Sequence, residues 1–137
     1  MAKKYWLLKT EPTTYSYKDL IKEKNTAWTG VRNFQARNFL KEFQLGDLAL
    51  IYHSGEERAV VGIAEVTRGA YPDRDRSRAG EWIQVDLRAK KELSNPVTLL
   101  QIKKDSDLKQ ILLIKQSRLS VLPLSQIEFK KIVELGE

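Results

Sequence analysis

The 137-residue sequence contains no cysteine and a single histidine, His53. The missing cysteines exclude disulfide bonds, thiolate catalysis and cysteine-ligated zinc, and one histidine cannot form a histidine cluster for a metal ion. The sequence also lacks a run of about 18 apolar residues, the length that a membrane-spanning helix needs, and a charged-then-apolar leader at its start. We therefore expect a cytoplasmic protein with no cofactor, no bound metal and no membrane partner.

The charge balance is the first feature that points to a function. Lysine and arginine total 24 against 18 acidic residues, which gives a net charge of +6. An excess of cations favours a nucleic-acid partner, because phosphate contacts release condensed counterions. The same charge would also serve solubility alone. The length and the 42% hydrophobic content predict one globular domain over residues 1–137, which we expect to be a monomer.

The stretch at residues 28–40, WTGVRNFQARNFL, combines a tryptophan, a glycine, two arginines and three side-chain amides. Its apolar residues recur at the spacing i, i+3, i+4 and i+7, at Ala36, Phe39, Leu40 and Phe43. That spacing predicts a helix over residues 33–43 with one buried stripe. Phe34 lies off this stripe, and we expect it to make a second core contact against the barrel; a pocket aromatic is the alternative role.

Polar groups gather at the start of this predicted helix. Trp28 and Gly30 are expected in the preceding turn, while Asn33 and Arg37 lie one helical turn apart. The indole, these two side chains and the free backbone N–H groups of the first turn could converge on one concave spot for a flat, polar or anionic ligand. A place in the core is the alternative role for Trp28, and capping the helix is the alternative for Asn33.

Apolar runs elsewhere predict a sheet with helices around it. We expect strands at 5–8, 48–52, 59–66 and 82–90, with a short one at 119–121 ended by Pro123, and helices at 16–24, 97–103, 107–115 and 125–135. Gly62 indicates a bulge or a close backbone approach within its strand. The strands at 48–52 and 59–66 are apolar on both faces, which favours a closed or strongly curled barrel. Residues 68–80 are predicted to be a loop.

Motifs along nearly the whole chain resemble the EVE domain of the PUA-like superfamily. These motifs are YWLLKTEPTTYSYKDL, WTGVRNFQARNFL, GDLALIYHS, VVGIAEV, AYPD and SVLPLSQIEF. The resemblance implies an α+β fold, a PUA-like β pseudo-barrel with helices packed around it. It also implies a cavity for a modified nucleobase, since the related YTH and SRA domains read methylated bases. The chain departs from the family's usual pattern at Thr10, at Thr29 and in the arginine-rich segment after AYPD.

Taken together, the residues and the resemblance predict a ligand-binding site and no catalytic or metal-binding residues. The site residues are Lys9, Thr10, Trp28, Val31, Arg32, Asn33, Arg37, His53, Ser54 and Tyr71. Trp28 would stack on a base, and Arg32 and Arg37 would clamp phosphate unless they form surface salt bridges. The resemblance places His53 and Ser54 at the pocket mouth, where a hydrogen-bonded turn is the alternative. Residues 71–73 are expected to form a lid or a tight turn.

Three functions are compatible with this pattern. The leading hypothesis is a non-catalytic module that recognises a modified base of RNA or DNA near Trp28. A small hydrolase acting on modified nucleosides would use Lys9, Thr10 and a carboxylate such as Glu11 or Glu65, but consecutive strand residues point to opposite faces. An adaptor protein would have no nucleic-acid role. We expect the loop at residues 74–78 to be solvated, and any contact it makes with nucleic acid to be with phosphate.

Overall fold

The computed structural model describes residues 3–73 and 81–137. Its strands are β1 (Tyr5–Thr10), β2 (Asn25–Trp28), β3 (Leu48–His53), β4 (Ala59–Pro72), β5 (Ile83–Thr98) and β6 (Val121–Leu124). Its α-helices are α1 (Tyr17–Glu23), α2 (Phe34–Leu40), α3 (Leu99–Lys104), α4 (Leu112–Lys115) and α5 (Gln126–Leu135), and a 3₁₀ turn covers Ser106–Leu108. None of these described helices is long and apolar enough to cross a membrane. The predicted role of the arginine-rich loop falls on residues outside the described ranges.

The strands form one sheet in the order β2-β5-β4-β3-β1-β6. β1 pairs in parallel with β3, and the other neighbours are antiparallel. Helix α2 contacts both β5 and β6, which lie near opposite ends of this order, so the sheet curls and α2 covers the gap. The predicted α+β fold, a PUA-like pseudo-barrel with helices packed around it, is confirmed.

A buried aspartate organises the start of the central strands. The Oδ1 atom of Asp47 accepts the backbone N–H of Lys4 at 3.1 Å. Its Oδ2 atom accepts the indole N–H of Trp6 at 3.0 Å and the backbone N–H of Gln44 at 3.0 Å. The Trp6 ring in turn stacks on Phe43, with ring centroids 4.4 Å apart. One carboxylate thus joins β1 and β3 to the segment that follows α2.

Gly62 explains how α1 reaches the sheet. A Cβ atom at this position would lie 2.4 Å from Cζ of Tyr17, too close for any side chain. The Tyr17 hydroxyl donates to the carbonyl of Ile63 at 2.6 Å. The pairing register of β4 also shifts between Val60 and Gly62. The predicted bulge is therefore present, whereas the close neighbour is the Tyr17 side chain and not the backbone that was the alternative.

Several predicted boundaries were wrong. β5 continues through Pro96 to Thr98, because Val97 and Thr98 still pair with β4. Pro96 lies at a shift in the pairing register, where its missing N–H breaks no regular hydrogen bond of the sheet. Pro123 lies inside β6, which is tolerated because β6 is an edge strand. β4 extends to Pro72, so residues 71 and 72 form neither a lid nor a tight turn.

The Asp47 network predicts a large cost for removing one carboxylate. Asp47→Ala leaves the buried Trp6 indole and two backbone N–H groups without their acceptor, so the free energy of unfolding should fall by about 2 to 4 kcal/mol. Glu42→Ala is the control, because Glu42 makes an exposed salt bridge with Lys4 and should change the same quantity by less than about 1 kcal/mol. Urea denaturation measures both, and equal effects would contradict the anchoring role of Asp47.

Candidate functional site

Trp28 ends β2, so it lies in a strand and not in the predicted turn. It pairs with Val85 of β5, and 9% of its surface is exposed. The ring of Tyr15 meets the indole edge to face, with centroids 5.9 Å apart. The neighbouring Val31 is also buried in the core. Trp28 is thus held rigidly, and only a narrow part of the indole reaches solvent.

Asp73 fixes the loop between Trp28 and α2. Gly30, with φ of +81°, donates its N–H to Oδ2 of Asp73 at 3.1 Å. Nη1 of Arg32 lies 3.2 Å from the same oxygen and 3.1 Å from the carbonyl of Val31. Asp73 is only 2% exposed, so the Arg32 ion pair is largely buried. Arg32 therefore has a structural partner in place of the expected open phosphate clamp.

Asn33 and Arg37 each have a partner within the protein. The Asn33 side chain caps α2 by accepting the N–H of Ala36 at 2.8 Å, which was the alternative role for this residue. Arg37 extends toward the segment that precedes β5, where it donates to the carbonyl of Glu81 at 3.4 Å and lies over the ring of Trp82. The two side chains are thus committed to different contacts.

Phe34 corrects another expectation. It is 61% exposed and stacks on Trp82, with ring centroids 5.2 Å apart and planes inclined by 24°. Ala36, Leu40 and Phe43 take the buried positions instead. Because these three already fill the core face, Phe34 projects from another side of α2 and meets Trp82, just before β5, at the surface.

The parallel pairing of β1 and β3 joins four predicted site residues. Lys9 pairs with Tyr52 and Thr10 with His53, and Ser54 donates its N–H to the carbonyl of Thr10 at 2.9 Å. The hydroxyl of Thr10 donates to the carbonyl of Tyr15, the residue that contacts Trp28. Thr10 is thus linked to Trp28 through Tyr15, and Ser54 is linked to it through Thr10 and Tyr15.

The ammonium group of Lys9 reaches a segment that the sequence analysis missed. Its Nζ donates to the carbonyl of Ser117 at 2.7 Å and lies 5.7 Å from the centroid of the Tyr52 ring. Burial lowers the pKa of Lys9 below its usual range. Ser117 also lines a surface depression of about 360 Å³, together with Asn33, Gln35, Lys115, Gln116, Arg118 and Leu119. The signal in the sequence was the polar KQSR segment between apolar residues.

His53 is tied at both ring nitrogens. Nε2 accepts the backbone N–H of Tyr17 at 3.0 Å, so Nδ1 carries the proton and donates to Oε1 of Glu57 at 2.7 Å. The ring lines a different cavity, of about 480 Å³, together with Tyr17, Lys18, Glu57, Val61, Glu92, Leu93, Ser94 and Pro96. This arrangement fixes α1 to β3 and separates His53 from the depression beside Asn33.

Tyr71 lies on the β4–β5 ribbon. Its hydroxyl donates to the carboxylate of Asp86 and accepts from the side-chain amide of Gln84 at 2.6 Å. The guanidinium of Arg68 lies 3.6 Å from the ring centroid. Burial and the Asp86 carboxylate raise the pKa of the Tyr71 phenol. These contacts hold Tyr71 within the sheet.

Known proteins are similar to this chain in fold and in sequence. The family model described as EVE domain matches residues 4–135. The chain belongs to the EVE domain family. Thymocyte nuclear protein 1 of Gallus gallus is 34% identical over 97% of this chain and 69% of its own length. The resemblance read from the sequence motifs is thus confirmed.

Solved structures of relatives are also similar to this EVE domain. The NMR structure of a Rhodopseudomonas palustris protein has a TM-score of 0.91 at 41% identity, covering 97% of this chain and 92% of that one. The crystal structure of human THYN1 protein in complex with 5-methylcytosine containing DNA has a TM-score of 0.88 at 31% identity, covering 98% of both chains.

Arg32 and Arg37 should differ in their effect on the stability of this EVE domain. Arg32→Gln breaks a largely buried ion pair with Asp73 and should lower the free energy of unfolding by about 2 kcal/mol. Arg37→Gln removes a partly exposed side chain whose hydrogen bonds are long, and should change it by less than about 0.5 kcal/mol. Chemical denaturation measures the free energy of unfolding of both variants. A small effect of Arg32→Gln would contradict the structural role of Arg32.

Proposed function

We propose that this EVE domain is a non-catalytic nucleic-acid-binding module that recognises a modified base of DNA or RNA beside Trp28. The observation that carries the proposal is the 31% identity, over 98% of both chains, to human THYN1 protein, whose structure is a complex with 5-methylcytosine containing DNA. The net charge of +6 supports the same partner class. We keep the cytoplasmic location and the monomeric state as predictions.

The base would contact the rigid groups around the Trp28 indole. Thr10 and Ser54 supply polar groups on one side through the β1–β3 pairing, and Asn33 lies at the start of α2. A fixed aromatic edge with nearby amide and hydroxyl groups is suited to an unpaired base, which is read by stacking and by hydrogen bonds to its edge.

The flanking phosphates would meet the depression beside Asn33. Lys115 and Arg118 are exposed there, and the ammonium of Lys9 is held against Ser117 at its margin. Cations at a groove contact phosphate without reading sequence. The depression thus supplies affinity, while the groups near Trp28 supply selectivity.

The groups suggested for hydrolysis support the non-catalytic proposal. Lys9 donates to Ser117 and Thr10 to Tyr15, so neither side chain faces the other as a nucleophile and its base would. Glu65 accepts from Arg88, and the Arg88 hydrogen bond lowers the pKa of its carboxyl group. Lys9, Thr10 and Glu65 thus each have a separate structural partner.

Selective recognition predicts a ligand-specific fluorescence change. One modified nucleoside or strand in a panel of modified and unmodified members should quench tryptophan fluorescence saturably, because Trp28 contacts it. Trp28→Ala should abolish the selectivity, provided that circular dichroism shows a folded variant. Asn33→Asp preserves the helix cap but replaces an amide donor by an anion, and should weaken the same ligand, whereas Asn38→Asp should not. A flat response from wild type and variants would favour the adaptor function.

Phosphate contacts predict a specific salt dependence. Binding should weaken steeply as salt rises, and Lys115→Gln should reduce the slope of log affinity against log salt by about one. Lys130→Gln removes the same charge from the exposed side of α5 and should leave the slope unchanged. Fluorescence anisotropy at several salt concentrations measures both slopes. An unchanged slope in Lys115→Gln would remove the depression from the phosphate path.

A further inference from the structure

A second group of aromatic and cationic side chains surrounds the exposed ring of Phe34. This aromatic–arginine cluster consists of Phe34, Trp82, Arg32 and Arg37. The two rings stack, and Cζ of Arg37 lies 4.9 Å from the Phe34 centroid and 5.8 Å from the Trp82 centroid. Cζ of Arg32 lies 5.3 Å from the Trp82 centroid. Two guanidinium groups thus cover a stacked ring pair.

The cluster still has open ring surface. Phe34 is 61% exposed after its contacts with Trp82 and Arg37, so a further planar group can stack on it. An exposed phenylalanine by itself is ordinary on a protein surface. The Arg37 guanidinium over this ring is different, because it attracts an anion to the same place at which the ring attracts a flat apolar face.

The hydrogen bonds of the Arg37 guanidinium are long, so a phosphate ligand can replace them. Its hydrogen bonds to Oδ1 of Asn38 are 3.2 and 3.4 Å long, and that to the carbonyl of Glu81 is 3.4 Å. A phosphate oxygen forms a shorter, charge-assisted and bidentate pair with arginine. Arg32, in contrast, is committed to Asp73 and keeps its guanidinium over Trp82. Arg37 is therefore the cation that would meet phosphate.

We propose that the aromatic–arginine cluster is a stacking platform for an unpaired nucleobase of DNA or RNA, with Arg37 on the adjacent phosphate. Every base has a face that can stack on an aromatic ring, so such a contact tolerates any sequence. The proposal rests on the nucleic-acid-binding function proposed above and adds a second contact to it. The base taken here is a neighbour of the modified one and is not itself selected.

The loop after β2 fixes the platform relative to the base site. Gly30 and Arg32 share Oδ2 of Asp73, so the chain leading from Trp28 to α2 is tied to the end of β4. The backbone N–H of Asp73 donates to the carbonyl of Trp82 at 2.8 Å. Asp73 thus holds both the loop that follows Trp28 and the backbone at Trp82. The platform and the base site therefore keep a fixed relative position, so that one nucleic-acid strand could contact both.

The test is the affinity of the intact protein for short oligodeoxyuridylate and oligouridylate strands, which carry the same base on different sugars, measured by fluorescence anisotropy. Phe34→Ala should weaken both about 5- to 150-fold, the factor that corresponds to one lost base stack. Phe34→Tyr keeps a ring and should retain the affinity. Ile127→Ala is the matched control, because Ile127 is 73% exposed on α5 and its truncation removes similar apolar surface. Weakening of only one strand would identify the backbone that the platform accepts.

The outcomes separate this proposal from the function on which it rests. Phe34→Ala should weaken modified and unmodified strands by the same factor, leaving their ratio unchanged, whereas Trp28→Ala should change the ratio. Unchanged affinity in folded Phe34→Ala, or the absence of single-strand binding by wild type, overturns the platform. If selectivity for a modified base persists in those cases, the proposed function stands without it. Loss of selectivity in Phe34→Ala would assign Phe34 to the base site and also overturn the platform.

Discussion

The Asp47 carboxylate sets the register on which the centre of this fold depends. It holds Lys4 and Trp6 of the first strand region against the start of β3, so the two parallel strands begin together. Their far ends consequently place Thr10 beside His53. Because side chains alternate along a strand, a slip of one residue would move Thr10 to the opposite face. A contact at one end of the sheet thereby determines which polar groups meet at the other end.

A second buried carboxylate, Asp73, organises the surface around α2. By binding Gly30 and Arg32 together it holds the loop that follows Trp28 and places the arginine over Trp82. The predicted site residues consequently divide into two sides. Thr10 and Ser54 lie toward the Tyr15 and Trp28 rings, whereas the arginines cover the exposed aromatic pair. A protein that holds a flipped base and an adjoining strand needs both kinds of surface, one rigid and selective and the other cationic and tolerant.

Features with a local cause were predictable. Ser16 and Ser125 begin helices through capping boxes, and Asn33 caps α2, because these contacts span only three residues. Features that depend on a distant partner were not. Phe34 was placed in the core because its residue type is apolar, but it stacks at the surface on Trp82, which precedes β5. Asp73 carries no sign in the sequence that its partners lie some forty residues earlier in the chain.

The sequence by itself determined the family, the α+β class, the basic charge and the helix caps, since each depends on residue type and short spacing. Tertiary structure alone decided which polar side chains are committed to the protein and which face outward. Arg32 and Arg37 look equivalent in the sequence, but one is paired with a buried carboxylate and the other makes only long hydrogen bonds. The reason is physical: the availability of a charge is set by neighbours that folding brings together from distant parts of the chain.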